Sequence, residues 1–225
     1  MKKNLILVFV GVAVLANTIV AFGAEEGWID LFDGKTLKGW IQRGGKAKYT
    51  VEDGAIVGTT VTNTPNSFLC TEQEYSDFIL ELEFKVDPKL NSGVQIRSQC
   101  FDKPTEVQWQ GKTIKIPANR VHGYQVEIDP SSRGWTGGIY DEARRGWLFD
   151  LKNKPEASKA FKQNDWNKIR VEAKGDTIKT WINGVPAAEL KDSMTPKGFI
   201  ALQVHQAKEA GLKVQFRNIR LKKLD

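Results

Sequence analysis

Along most of its 225 residues the chain alternates apolar and polar residues at every second position, and each such run stops at a turn signal. Leu80-Glu81-Leu82-Glu83-Phe84, Tyr124-Gln125-Val126-Glu127-Ile128-Asp129 and Leu202-Gln203-Val204-His205 show the pattern. A period of two sends alternate side chains to opposite faces of an extended strand, whereas a helix needs apolar residues every three or four positions. Between runs, Glu52-Asp53-Gly54, Lys174-Gly175-Asp176 and Asn183-Gly184 supply hairpin chemistry, because Asn and Gly tolerate the positive φ of tight turns. Only 154–161 has helical character. The region 99–119 lacks a clean pattern and reads as a long loop or hairpin excursion. A dozen or so short strands without an interdomain linker predict one all-β domain, a sandwich or a barrel.

Composition removes several other outcomes. With 40% apolar residues, seven Trp and eleven Phe, the chain carries too much aromatic surface to stay in water as a disordered coil. Two cysteines exclude a disulfide-dense scaffold. Cys70 and Cys100 each end a predicted strand, so a bridge and two buried thiols both fit. Neither has the spacing of a zinc site, and no nucleophile elbow or phosphate-cradling glycine loop occurs.

At the start, Lys2 and Lys3 precede an apolar run from Leu5 to Leu15, and small residues follow at Ala21, Gly23 and Ala24. This is the layout of a secretory signal peptide over 1–23, leaving 24–225 as the mature domain, exported to the periplasm or beyond the cell. No other stretch could span a membrane. Without Lys2 and Lys3, 31 basic residues face 27 acidic ones, a net of +4. The basic residues alternate along strands or pair with acids, so the excess reads as a solvated face and not a nucleic-acid surface.

The polar faces of four strands differ from ordinary solvent faces. Glu81 and Glu83, then Gln95 and Arg97, then Gln125, Glu127 and Asp129, then Gln203 and His205 stand opposite the apolar positions, with no Lys among them. Carboxamides, carboxylates and a guanidinium supply both donors and acceptors for a polyhydroxylated ligand; a salt-bridged surface is the alternative. Trp109, Trp135, Tyr140 and Trp147 fall in Gly-rich, loop-like sequence, where an aromatic plane either anchors the loop or stacks on a sugar. His122, just before a strand, could turn toward the same end as His205.

Seven segments occur together in one order: 28–40 (Trp-Ile-Asp-Leu-Phe-Asp-Gly-Lys-Thr-Leu-Lys-Gly-Trp), 75–84, Asn91-Ser-Gly-Val-Gln-Ile-Arg97, Gly123-Tyr-Gln-Val-Glu-Ile-Asp129, Thr136-Gly-Gly-Ile-Tyr140, Trp181-Ile-Asn-Gly184 and Phe216-Arg-Asn-Ile-Arg220. With them the chain resembles the 3-keto-disaccharide hydrolase domain family over almost its whole mature length. The resemblance implies a concanavalin A-like jelly-roll sandwich acting on oligosaccharides or glycosides with a ketone at the third ring carbon. Here Gly-Tyr-Gln-Val-Glu stands where Gly-Tyr-Glu followed by Gln is commoner, so the acid sits two places later on the same face. A ring ketone acidifies the neighbouring C–H, so elimination followed by hydration would cleave the glycoside. That chemistry needs a base, an enolate stabiliser and an acid. Glu127 or His205 is the expected base, Arg97 or a divalent metal ion the stabiliser, and Tyr140 or Glu83 the acid. Gln95, Gln125, Asp129, Gln203 and Trp135 are the expected substrate contacts. A two-carboxylate glycosidase using Glu83 and Glu127 is the rival chemistry, and a non-catalytic lectin-like domain the rival class.

Overall fold

A computed structural model describes residues 26–224. The predicted leader over 1–23 lies outside the described residues. In chain order the strands begin with β1 (Trp28–Asp30), β2 (Trp40–Gly44), β3 (Lys48–Glu52), β4 (Ala55–Thr59), β5 (Ser67–Thr71) and β6 (Phe78–Val86). They continue with β7 (Ser92–Gln99), β8 (Thr105–Trp109), β9 (Lys112–Ile116), β10 (His122–Ile128), β11 (Ile139–Glu142) and β12 (Gly146–Phe149). One short helix, α1 (Pro155–Ala160), precedes β13 (Asn167–Lys174), β14 (Thr177–Ile182), β15 (Val185–Lys191), β16 (Phe199–Val204) and β17 (Lys213–Lys223). Among the described residues no helix is long and apolar enough to cross a membrane.

The strands form the two antiparallel sheets of a jelly-roll sandwich. One runs β15-β14-β13-β6-β17-β4-β3 with β1 also on β17, and the other β12-β11-β10-β7-β16-β5-β2. Alternation dictates what lies between them. Leu80, Leu82 and Phe84 of one sheet meet Tyr124, Val126, Ile128, Ile200 and Leu202 of the other in one buried core. Each sheet therefore has its own face turned away from that core.

The seven-stranded sheet's outer face is divided. At one end Phe68, Cys70, Phe199 and Ala201 form a satellite apolar cluster with Val121, and Cys100 packs against it. The 99–121 stretch covers this end and contains the β8–β9 hairpin, which pairs only with itself. Both cysteines are free. Cys70 lies on β5, and Cys100, just past the end of β7, packs against the apolar cluster that contains it. The other end of this face is open and polar.

Candidate functional site

β10 builds the floor of that open end. Tyr124, Val126 and Ile128 are wholly buried in the core, which turns Gln125 and Glu127 outward. In the neighbouring β11, Tyr140 stands opposite Gln125. Gln203 of β16, and His205 just past its end, complete a hollow of about 580 Å³. Ligand sites usually occupy roughly 300–1,000 Å³.

Glu127 is 4% exposed yet lines this hollow. Its Oε1 accepts a 2.7 Å bond from Asn91 Nδ2, and its Oε2 a 2.9 Å bond from Gln125 Nε2. Burial pushes its carboxyl above the ordinary glutamate value; the Asn91 and Gln125 bonds oppose this, the Asp129 charge adds to it and Arg133 opposes it. Gln125 has no freedom to turn, because its Oε1 accepts from both Gln95 Nε2 (2.6 Å) and Gln203 Nε2 (2.9 Å). Ser98 Oγ in turn donates to Gln95 Oε1 at 2.7 Å. Gly93 makes room for this network: a Cβ there would stand 2.4 Å from Gln125 Cδ. Gln203 Oε1 is left buried without a partner among the described residues.

A cation and two indoles flank Glu127. Arg133 Nε donates to Asp129 Oδ2 at 2.7 Å, and one of its terminal nitrogens lies 3.7 Å from Glu127 Oε1. Its guanidinium rests 4.5 Å from the Trp135 ring centre and 5.2 Å from that of Trp147. At the opposite end of the hollow, Arg120 donates to Glu142 at 2.6 Å. Burial pushes Glu142 up, while Arg120, His205 and Asn66 pull it back. Glu127 and Glu142 sit two residues on either side of the Gln125–Tyr140 pair. At the rise of a strand that separates their backbones by about 13 Å. Tyr140 lies between them, its hydroxyl kept protonated to higher pH by burial and by the charges of Glu142 and Glu127, against Arg120.

The hollow thus gathers Gln125, Glu127, Asp129, Tyr140, Gln203 and His205. Other expected residues lie elsewhere. Glu83 faces away from the core as predicted, but from the other sheet, where it pairs with Arg217 at 2.7 Å. It cannot act with Glu127, and the two-carboxylate pairing is lost with it. Arg97 is wholly buried. A β-bulge breaks the pairing of β7 with both β10 and β16, and Arg97 takes φ +45°. The extra residue reverses the alternation, so Ser98 takes the outer face. Arg97 instead ties Ser76 O, Gly175 O and the Asp77 carboxylate together.

Gln95 is buried beneath Gln125 and acts through it. Trp135 stands behind Trp147, ring centres 4.7 Å apart and nearly perpendicular, and Trp147 forms the wall. His122 is buried against Phe101 with both ring nitrogens unpartnered among the described residues. Burial, with the Arg144 charge, lowers its pKa to about 4 despite Asp141.

Among the described residues no three His, Cys, Asp or Glu side chains are grouped to hold a metal ion. Arg133 is the cation nearest Glu127 in the hollow. Sequence reasoning missed Asn66, Asn91, Arg120, Arg133 and Glu142. The first four lie outside the alternating runs. Glu142 lies on β11, a four-residue strand too short to show a period.

A family model described as a 3-keto-alpha-glucoside-1,2-lyase-like domain matches residues 27–222. The chain is 26% identical over 240 aligned positions to a protein of Bacteroides thetaiotaomicron named 3-keto-disaccharide hydrolase, covering 89% of this chain and 79% of that one. Its fold is similar to carbohydrate binding module CBM66 from Bacillus subtilis, with TM-score 0.56, 16% identity and coverage of 82% and 96%. It is also similar to a galectin-like-fold protein of unknown function from the same organism, with TM-score 0.57, 15% identity and coverage of 83% and 90%.

Proposed function

The chain belongs to the 3-keto-alpha-glucoside-1,2-lyase-like domain family, and from that premise we propose that it cleaves glycosides bearing a ketone at the third ring carbon. Glu127 carries the proposal. A buried carboxylate above its ordinary pKa, held by two amide donors inside an open hollow, is costly for a surface that merely binds sugar and useful to one that removes a proton.

The ketone makes the hydrogen on the second ring carbon acidic. Glu127 takes that proton, the electron pair moves toward the ketone oxygen, and the bond from the first ring carbon to the glycosidic oxygen breaks. Water then adds across the new double bond to complete net hydrolysis. Arg133, beside Glu127, stabilises the enolate oxygen, and the protonated Tyr140 phenol donates to the same sugar. Gln203 Oε1 is an unspent acceptor for a sugar hydroxyl, and Trp147 offers a flat apolar wall.

Incubation of the protein with 3-keto-glucosides should release the aglycone and accumulate an unsaturated ketone, visible by ultraviolet absorbance when hydration is slow. Binding of the same sugars without any turnover would favour the lectin-like reading instead.

A further inference from the structure

His205 lines two cavities. Besides the hollow over Glu127, it borders a second one of about 470 Å³ formed by residues 63–65 and 206–208. This ring is common to the walls of both, and the second differs in character: Pro65 and Ala207 line it beside Thr64 and Lys208.

Its two loops are tied to each other and to the sheet. Asn66 Oδ1 accepts from the Gln206 amide at 2.9 Å. Thr60 Oγ1 donates to Glu209 O at 2.8 Å and accepts from the Leu212 amide at 3.0 Å. Backbone bonds from Thr60 to Leu212 O and from Gly211 to Thr60 O close the base. The second cavity is therefore formed without a ligand.

The tautomer of His205 follows from its neighbour. Nδ1 lies 2.8 Å from the carbonyl oxygen of Gln206. A carbonyl only accepts, so Nδ1 carries a hydrogen and Nε2 is left for a ligand. The Glu142 carboxylate interacts electrostatically with the ring, and the imidazolium form carries its second hydrogen on Nε2.

Resting on the reading of the first hollow as the site of the keto sugar, we propose that the 63–65/206–208 cavity is the leaving-group subsite and that His205 protonates the departing glycosidic oxygen. The bond between the two sugars would cross from one cavity to the other over the imidazole. As the carbon–oxygen bond breaks, its electron pair goes to oxygen, which takes the Nε2 proton. His205 ends neutral, and Glu127 ends holding the proton from the second ring carbon. Exchange of both with solvent water restores the starting state. A leaving group with an apolar face suits Pro65 and Ala207.

The test pairs leaving groups with variants of the full chain. His205→Gln should lower kcat/KM by about 10²–10³-fold for a methyl 3-keto-glucoside, whose alcohol leaves badly. For the 4-nitrophenyl glycoside, whose phenol leaves unaided, it should cost less than about fivefold, reflecting the smaller need for an acid. Equal losses for both would overturn the acid role.

Ala207→Trp, which fills the second cavity, should raise KM for a 3-keto-disaccharide by about tenfold relative to the methyl glycoside, a differential of about 1.4 kcal/mol. An unchanged ratio would overturn the subsite. If the wild type turned over none of these sugars, the underlying reading and the acid role would fall together. Calorimetric binding of the disaccharide and the methyl glycoside to wild type and Ala207→Trp would then still decide the subsite by the same ratio.

Discussion

Replacing Gly93 by alanine adds one methyl group, and its consequences can be followed atom by atom. The new Cβ would meet Gln125 at 2.4 Å (Cδ), 2.5 Å (Cγ) and 2.7 Å (Nε2), distances that no packed pair of atoms sustains. Two responses are open. The Gln125 amide can be pushed far enough to give up its Nε2 bond to the Glu127 carboxylate while its Oε1 keeps those from Gln95 and Gln203, which costs about 1.5–3 kcal/mol. Otherwise β7 and β10 absorb the overlap, which costs about 1–3 kcal/mol. Either route predicts a loss of about 2 kcal/mol. It should appear as a lower urea midpoint with an unchanged slope. If the amide is displaced, Glu127 also loses a bond that holds its pKa down. Its carboxyl resonance in a ¹³C titration should then move to higher pH. A variant with the wild-type midpoint and an unmoved Glu127 titration would refute the claim that Gly93 seats Gln125 and Gln125 seats the carboxylate.

Other outcomes follow from the same structure. The acid limb of kcat/KM should lie above 4.5, the ordinary glutamate value, because Glu127 must be ionised to act and its pKa is raised; Asn91→Ala, which removes an opposing bond, should move that limb higher still. Arg97→Ala should cost about 3–5 kcal/mol in a denaturation series, since it leaves the Asp77 carboxylate and two carbonyls without their buried partner. Glu83→Ala should change stability by no more than about 1 kcal/mol and leave kcat/KM at the wild-type value. For Glu81, burial alone would raise the pKa, but Lys168, Arg220 and Arg170 together hold it at about 2. A depressed carboxylate stabilises the fold above its unfolded value of 4.5, so thermal midpoints should fall as pH drops from about 4.5 toward 2, and less so in Glu81→Gln.

The fold was legible because alternation is a direct print of burial. Leu80, Leu82 and Phe84 are in the core, and Glu81 and Glu83 are opposite it, as the period requires. What the period cannot tell is which of two outer faces a residue occupies. Glu83 obeyed the pattern and still landed on the far side of the molecule from Glu127. At Arg97 the pattern itself failed, since one bulged residue inverts everything that follows it. The floor of the hollow, from Gln125, Glu127 and Gln203, was readable because it lies on unbroken strands.

Its walls were less so. Arg133 comes from the same loop as Trp135, where the indole drew attention and the guanidinium beside it did not. Asn66 and Asn91 look like turn residues in sequence, and only the tertiary fold turns them toward carboxylates. The 99–119 region showed no clean period because β8 and β9 are five residues each, pair only with each other, and alternate mostly between exposed and half-buried positions instead of facing the main core.

The central claim is that Glu127 removes the proton beside the ring ketone, and hydrogen exchange measures that step without requiring the glycosidic bond to break. In D₂O, wild-type protein should speed the replacement of hydrogen by deuterium at the second ring carbon of a 3-keto-glucoside, followed by NMR. Glu127→Gln should slow that exchange by at least about 10²-fold while binding the sugar within a few-fold of wild type by calorimetry. Exchange at the wild-type rate in the variant would contradict the account.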